Sequence, residues 1–128
     1  MALRDQLRVL VVDDMSTSRG LITQALDGFG IANVATASDG PTALKSLETR
    51  PAHLVISDFN MPDMNGLQFL TALRQGARTK GVGFILITGK ADKAIIDHGR
   101  KLGMNNFLKK PFQPAELRAC IEAVVGRL

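Results

Sequence analysis

The chain of 128 residues has no tryptophan, no tyrosine and one cysteine. Cys120 has no partner for an internal disulfide, so a cysteine-stapled scaffold is excluded, and its place in an apolar stripe of helical spacing reads as core packing. Aromatic residues are only 5% of the chain, and no helix-turn-helix, zinc-ligand spacing or RNA-binding aromatic motif accompanies them, so nucleic acid is not an expected partner. No apolar run approaches the roughly 20 residues of a membrane helix. The N-terminal MALRDQLRV lacks a continuous apolar segment and a small-residue cleavage site, so the expected compartment is the cytoplasm. Repeats, low-complexity tracts and linkers are also missing.

What remains is a composition of ordinary soluble character, 45% hydrophobic and 22% charged, long enough for one domain over residues 1–128 with its own core. The formal charge of +4 is uneven. Residues 1–77 carry six Lys/Arg and eight Asp/Glu, against ten and four in residues 78–128. A basic half can mean nucleic acid, an acidic protein partner or merely solvated helix faces, the last being the commonest meaning of scattered charges.

Arg8–Val12 (RVLVV) is a β-branched run that stops at Asp13 and Asp14, and Leu54–Ile56 leads likewise through Ser57 into Asp58. Phe84–Ile87 ends at Thr88 and Gly89, Phe107–Leu108 runs into Lys109, Lys110 and Pro111, and a weaker run spans Asn33–Ala37. The first two read as buried strands, and all five as strand candidates. Helical spacing lies between them: Ile22, Ala25, Leu26 and Phe29; Ala43, Leu44 and Leu47 after Pro41; Leu67, Leu70 and Leu73; Ile95 and Leu102; and, most clearly, Leu117, Cys120, Ile121, Val124 and Val125 after Pro114. Five strands alternating with five helices predict an α/β fold, a parallel sheet covered on both faces.

In such sheets ligands sit beyond the carboxyl ends of the strands. Asp13 and Asp14, Asp58, Thr88 and Lys110 follow the first, third, fourth and fifth strands, so one edge gathers all five. Taken singly, each aspartate reads as a turn or cap residue, Thr88 as a strand former and Lys110 as a solvated charge. Together they need an explanation, because each carboxylate pair at ~4 Å costs about 4 kcal/mol at an effective dielectric near 20. A cation must offset this, and an oxygen-only donor set favours a hard one such as Mg²⁺.

The DD pair, the D-x-N-M-P-x-M-x-G segment from Asp58 to Gly66, Thr88-Gly89 and Lys110-Pro111-Phe112 resemble the receiver domains of bacterial two-component signalling, in order and at compatible spacing over roughly residues 8–125. VVDDMSTSRGLI and VISDFNMPDMNGLQFL are most similar to the free-standing chemotaxis receivers. The resemblance implies a flavodoxin-like doubly wound sheet of order 2-1-3-4-5. It also implies that Asp58 is a phosphoacceptor whose phosphotransfer and dephosphorylation are self-catalysed, in a signalling protein rather than an enzyme of metabolism. Asp13, Asp14, Asp58 and the main-chain carbonyl of Asn60 would hold Mg²⁺, Lys110 and Thr88 would grip the phosphoryl oxygens, and the Lys110–Pro111 bond would be cis.

By the same resemblance, Thr88 and Phe107 would form a switch to a surface made by the fourth helix, fifth strand and fifth helix. The implied partners are a CheA-like histidine kinase and a FliM-like flagellar motor switch protein, met by a monomer through a basic face of Lys90, Lys93, Arg100, Lys101 and Arg118. A phosphate sink or kinase regulator outside motor control is the alternative. Departures are Phe107 where the chemotaxis receivers carry tyrosine, Lys90 for glutamate, Phe59 for tryptophan and Met15 for phenylalanine. A hydrolase with an aspartate nucleophile would want a carboxylate two positions after it, where Asn60 stands. His53 and His98 have no ligand partner at metal spacing and read as surface or capping residues.

Overall fold

The computed structural model describes residues 2–89 and 92–128. Five parallel strands, β1 (Arg8–Val12), β2 (Asn33–Ala37), β3 (Leu54–Asp58), β4 (Gly83–Thr88) and β5 (Asn106–Lys109), form one sheet in the order β2-β1-β3-β4-β5. Helices α2 (Ser16–Gly28), α3 (Gly40–Thr49), α4 (Gly66–Gln75), α5 (Lys93–Lys101) and α6 (Pro114–Val125) alternate with the strands as expected. One element was not foreseen: the four-residue helix α1 (Leu3–Gln6), too short for a periodic signal, forms because Leu3 packs against the core and Leu7 N bonds back to Leu3 O at 3.0 Å.

The three central strands, β1, β3 and β4, read as nearly unbroken apolar runs because both faces of the sheet are covered there, whereas the edge strands β2 and β5 are mostly half-buried or exposed. Val9, Val11, Leu54, Ile56, Ile85 and Ile87 point to α2 and α6, meeting Ile22, Leu26, Leu117, Cys120 and Ile121. Leu10, Val12, Val55, Phe84 and Leu86 point the other way, against Ala43, Leu47, Phe69, Leu70 and Leu73 of α3 and α4. Phe69 and Phe84 meet edge to face with centroids 6.1 Å apart. Cys120 is buried in the first of these layers, and its thiol is pushed up to about 11 by burial.

The helix starts are locally encoded. Asp39 accepts from Thr42 N at 2.7 Å ahead of Pro41, Asp92 accepts from Ile95 N at 2.8 Å, and Pro114 opens α6. Arg74 at the end of α4 ties two distant loops by donating to Lys80 O, Val82 O, Gly103 O and Asn105 Oδ1. β1 lies between β2 and β3, so the chain leaves it in one direction and returns on the other, opening a crevice at the carboxyl ends of β1 and β3.

Candidate functional site

The ladders continue past the strand tips and fix the residues beyond them. Asp13 N donates to Ala37 O at 3.1 Å, Phe59 N to Ile87 O at 2.9 Å and Lys110 N to Thr88 O at 2.9 Å. Asp58 is paired in register with Ile87, so Thr88 stands one residue further along the neighbouring strand, and it is only 1% exposed. The Lys110–Pro111 peptide is cis.

Asp13 is fully buried. Its Oδ1 accepts from Met15 N at 3.0 Å and its main-chain carbonyl from Arg19 Nη1 at 2.7 Å. Oδ2 is buried with no hydrogen-bond partner, and Lys110 Nζ stands 4.0 Å from it. The same ammonium lies 3.0 Å from Asp58 Oδ1. Asp14 is exposed at the rim, and the carboxylates of Asp13, Asp14 and Asp58 each offer an oxygen within 4.8 Å of the others. Burial raises the Asp58 carboxyl above the ordinary carboxylate value; the Lys110 hydrogen bond and charge pull it back, and Asp13 pushes it further up. An orphaned buried oxygen beside two further carboxylates, all of hard donor type, fits a small divalent cation.

The segment behind Asp58 is held at both ends. Ser57 Oγ donates to Asp58 O at 2.9 Å, and Gly66 N to Phe59 O at 2.8 Å. A Cβ on Gly66 would come within 2.8 Å of Asp58 O and 3.1 Å of Phe59 Cα, so the glycine closing the D-x-N-M-P-x-M-x-G pattern is required by close backbone approach. Asn65 then starts α4 through a capping box with Gln68. Asn60 lies exposed two residues past Asp58.

Asp13, Asp14 and Asp58 gather with Lys110, and Thr88 and Asn60 flank them on the same edge. Phe107 sits apart, half-buried on β5 and paired with Leu86, with Arg100 of α5 over its ring at 5.9 Å. Lys93, Arg100 and Lys101 are exposed on α5, whereas Arg118 does not join them: it lies over Phe29 beyond the end of α2, at 5.9 Å, and near Glu122 at 3.8 Å. Helical spacing cannot tell which flank of α6 a long side chain follows. Lys90 lies outside the described residues. His53 and His98 are exposed, and His53 Nδ1 accepts from Arg8 N at 3.0 Å. Arg19 was missed; the only sequence signal is a cation six residues after Asp13, on the first turn of α2.

Residues 9–122 match the family model of the response regulator receiver domain. The chain belongs to that family. It is 44% identical over 128 residues to the probable chemotaxis protein CheY of Rhizobium etli, with 100% of this chain and 99% of that protein covered. Among solved structures, it resembles the chemotaxis protein CheY4 of Vibrio cholerae with a TM-score of 0.88 at 31% identity, covering 93% and 98% of the two chains. A receiver domain of a Pseudomonas aeruginosa sensor histidine kinase, which has a magnesium ion coordinated in its active-site cleft, matches with a TM-score of 0.84 at 26% identity over 94% and 98%. This receiver is a signalling phosphoacceptor, and its Asp13, Asp14 and Asp58 cluster is typical of the receiver metal site. Among the described residues no helix is long and apolar enough to cross a membrane.

Proposed function

We propose that the chain is one receiver domain over residues 1–128, that Asp58 accepts a phosphoryl group from the phosphohistidine of a kinase in a Mg²⁺-dependent reaction, and that the phosphorylated protein controls a flagellar motor switch in chemotaxis. The observation that carries the acceptor assignment is the Lys110 ammonium 3.0 Å from Asp58 Oδ1 inside a cluster of three carboxylates. The chemotactic output rests on the full-length likeness to a protein named as a probable chemotaxis CheY.

The chemistry follows from charge and reach. The ionised Asp58 oxygen attacks phosphorus, the P–N bond to the donor imidazole breaks, and the imidazole keeps the electron pair and takes up a proton. Asp13, Asp14, Asp58 and the Asn60 carbonyl would hold Mg²⁺, which supplies the positive charge that lets an anionic donor approach three carboxylates. Lys110 stays with the transferred group through a charge-assisted hydrogen bond, and the Thr88 hydroxyl takes a second phosphoryl oxygen. Drawing Thr88 towards the phosphoryl group opens space behind β4 for the Phe107 ring, so the change reaches the α5, β5 and α6 surface. With no hydroxyl on Phe107, that coupling depends on ring packing alone.

Two measurements test this reading. Incubation with acetyl phosphate and Mg²⁺ is expected to add one phosphoryl mass to the wild type and none to Asp58→Asn; equal addition to both would remove the acceptor assignment. Pull-down from a flagellated host with and without beryllofluoride is expected to recover a motor switch protein only with it. Capture of the kinase alone in both arms would argue for a phosphate sink.

A further inference from the structure

Asp13 is held at three points. Its N–H is fixed to β2 through Ala37 O at 3.1 Å, its Oδ1 by Met15 N at 3.0 Å, and its carbonyl by Arg19 Nη1 at 2.7 Å. The one atom left over, Oδ2, is buried, with Lys110 Nζ 4.0 Å from it and the same ammonium 3.0 Å from Asp58 Oδ1. Arg19 is half-buried on the first turn of α2 and is itself anchored by Arg19 N to Met15 O at 2.9 Å. Its guanidinium therefore links the start of α2 to the Asp13–Asp14 peptide, whose orientation sets where both carboxylates point.

We propose that Arg19 is a positioning residue: by gripping the Asp13 carbonyl it holds the Asp13 and Asp14 carboxylates in the arrangement that binds the divalent cation. The inference rests on reading the acidic cluster as a Mg²⁺ site. It has a distinctive sign. As a mere charge, Arg19 would repel a cation at the cluster, and deleting it would tighten Mg²⁺ binding. As a positioning group it supports the ligands, and deleting it weakens binding; groups that orient metal ligands typically contribute roughly tenfold or more to affinity.

The test is a MgCl₂ titration of ¹⁵N-labelled protein, following the amide signals of Asp14, Asp58 and Asn60, on wild type, Arg19→Ala and Arg19→Lys, with thermal melts on each. Arg19→Ala is expected to raise the Mg²⁺ Kd roughly tenfold, and Arg19→Lys, which keeps the charge and a donor, to fall between. If Arg19→Ala does not fold, Arg19→Gln, which keeps part of the stem, takes its place with the same expectation. An unchanged Kd with a lowered melting temperature would reduce Arg19 to a structural staple and overturn the proposal, and so would a lower Kd. Wild-type protein without any Mg²⁺-dependent shift would overturn the metal site and, with it, the role given to Arg19.

Discussion

Lys110 Nζ stands 3.0 Å from Asp58 Oδ1 and, among the described residues, is the cation within 4.0 Å of the cluster's carboxylate oxygens. Truncating it in Lys110→Ala leaves two buried carboxylates without that counter-charge. The metal-free protein should lose roughly 2 kcal/mol, less than the full cost of breaking a buried pair because Lys110 is 28% exposed. Added Mg²⁺ should restore part of the loss in thermal melts. Labelling by acetyl phosphate should slow by about 10²–10³-fold, the usual effect of removing one donor to a reacting oxyanion.

Asp58 gives the fold a pH dependence of definite sign. Its folded-state value is raised, chiefly by burial, so the native state holds this proton more tightly than the unfolded chain does. Its contribution to stability is fully present below the unfolded value of about 3.9 and is lost as the pH climbs through the raised folded value. Asp58→Asn carries no such charge. The melting temperatures of mutant and wild type should nearly coincide in acid and separate towards neutral pH, with the mutant higher by about 3–5 °C per kcal/mol of relief. Mg²⁺ should narrow the gap, and an Asn variant less stable than wild type at pH 7 would contradict this account.

Cys120 should be inert in the native state. Its thiol is pushed up to about 11 by burial, which leaves far less thiolate at pH 8 than in a free cysteine of about 8.5. Iodoacetamide should react roughly a hundredfold more slowly with native than with urea-unfolded protein. Equal rates would mean that the packing of α6 against the sheet is wrong.

Gly66→Ala tests the loop behind the acceptor. The new methyl meets the Asp58 carbonyl and Phe59 Cα, which are backbone and cannot turn aside. A loss of about 1–3 kcal/mol in urea unfolding is expected. The surviving folded fraction should label more slowly, because small displacements at a reacting centre cost up to about 10²-fold.

Much of this was legible because the central strands are apolar on both faces, and β1, β3, β4 and β5 each end at a chemical group. Asp13, Asp58, Thr88 and Lys110 stand out as polar residues where burial would otherwise continue. The sheet order came only from family likeness, since runs such as FILI and RVLVV carry no mark of their neighbours. Arg19 was illegible for a different reason: its partner is a backbone carbonyl, and main-chain acceptors leave no trace in side-chain patterns. Arg118 was misjudged because the ring of Phe29, distant in sequence, attracts it to the other side of α6.

The most direct measurement is to locate the phosphorylated residue. Protein treated with acetyl phosphate and Mg²⁺ is reduced with borohydride, which converts an acyl phosphate to the alcohol, and the digest is sequenced by tandem mass spectrometry. Homoserine at position 58, absent when Mg²⁺ is chelated, is the predicted result. Homoserine at position 13, 14 or 63 instead, or the same yield at 58 without the metal, would contradict the account.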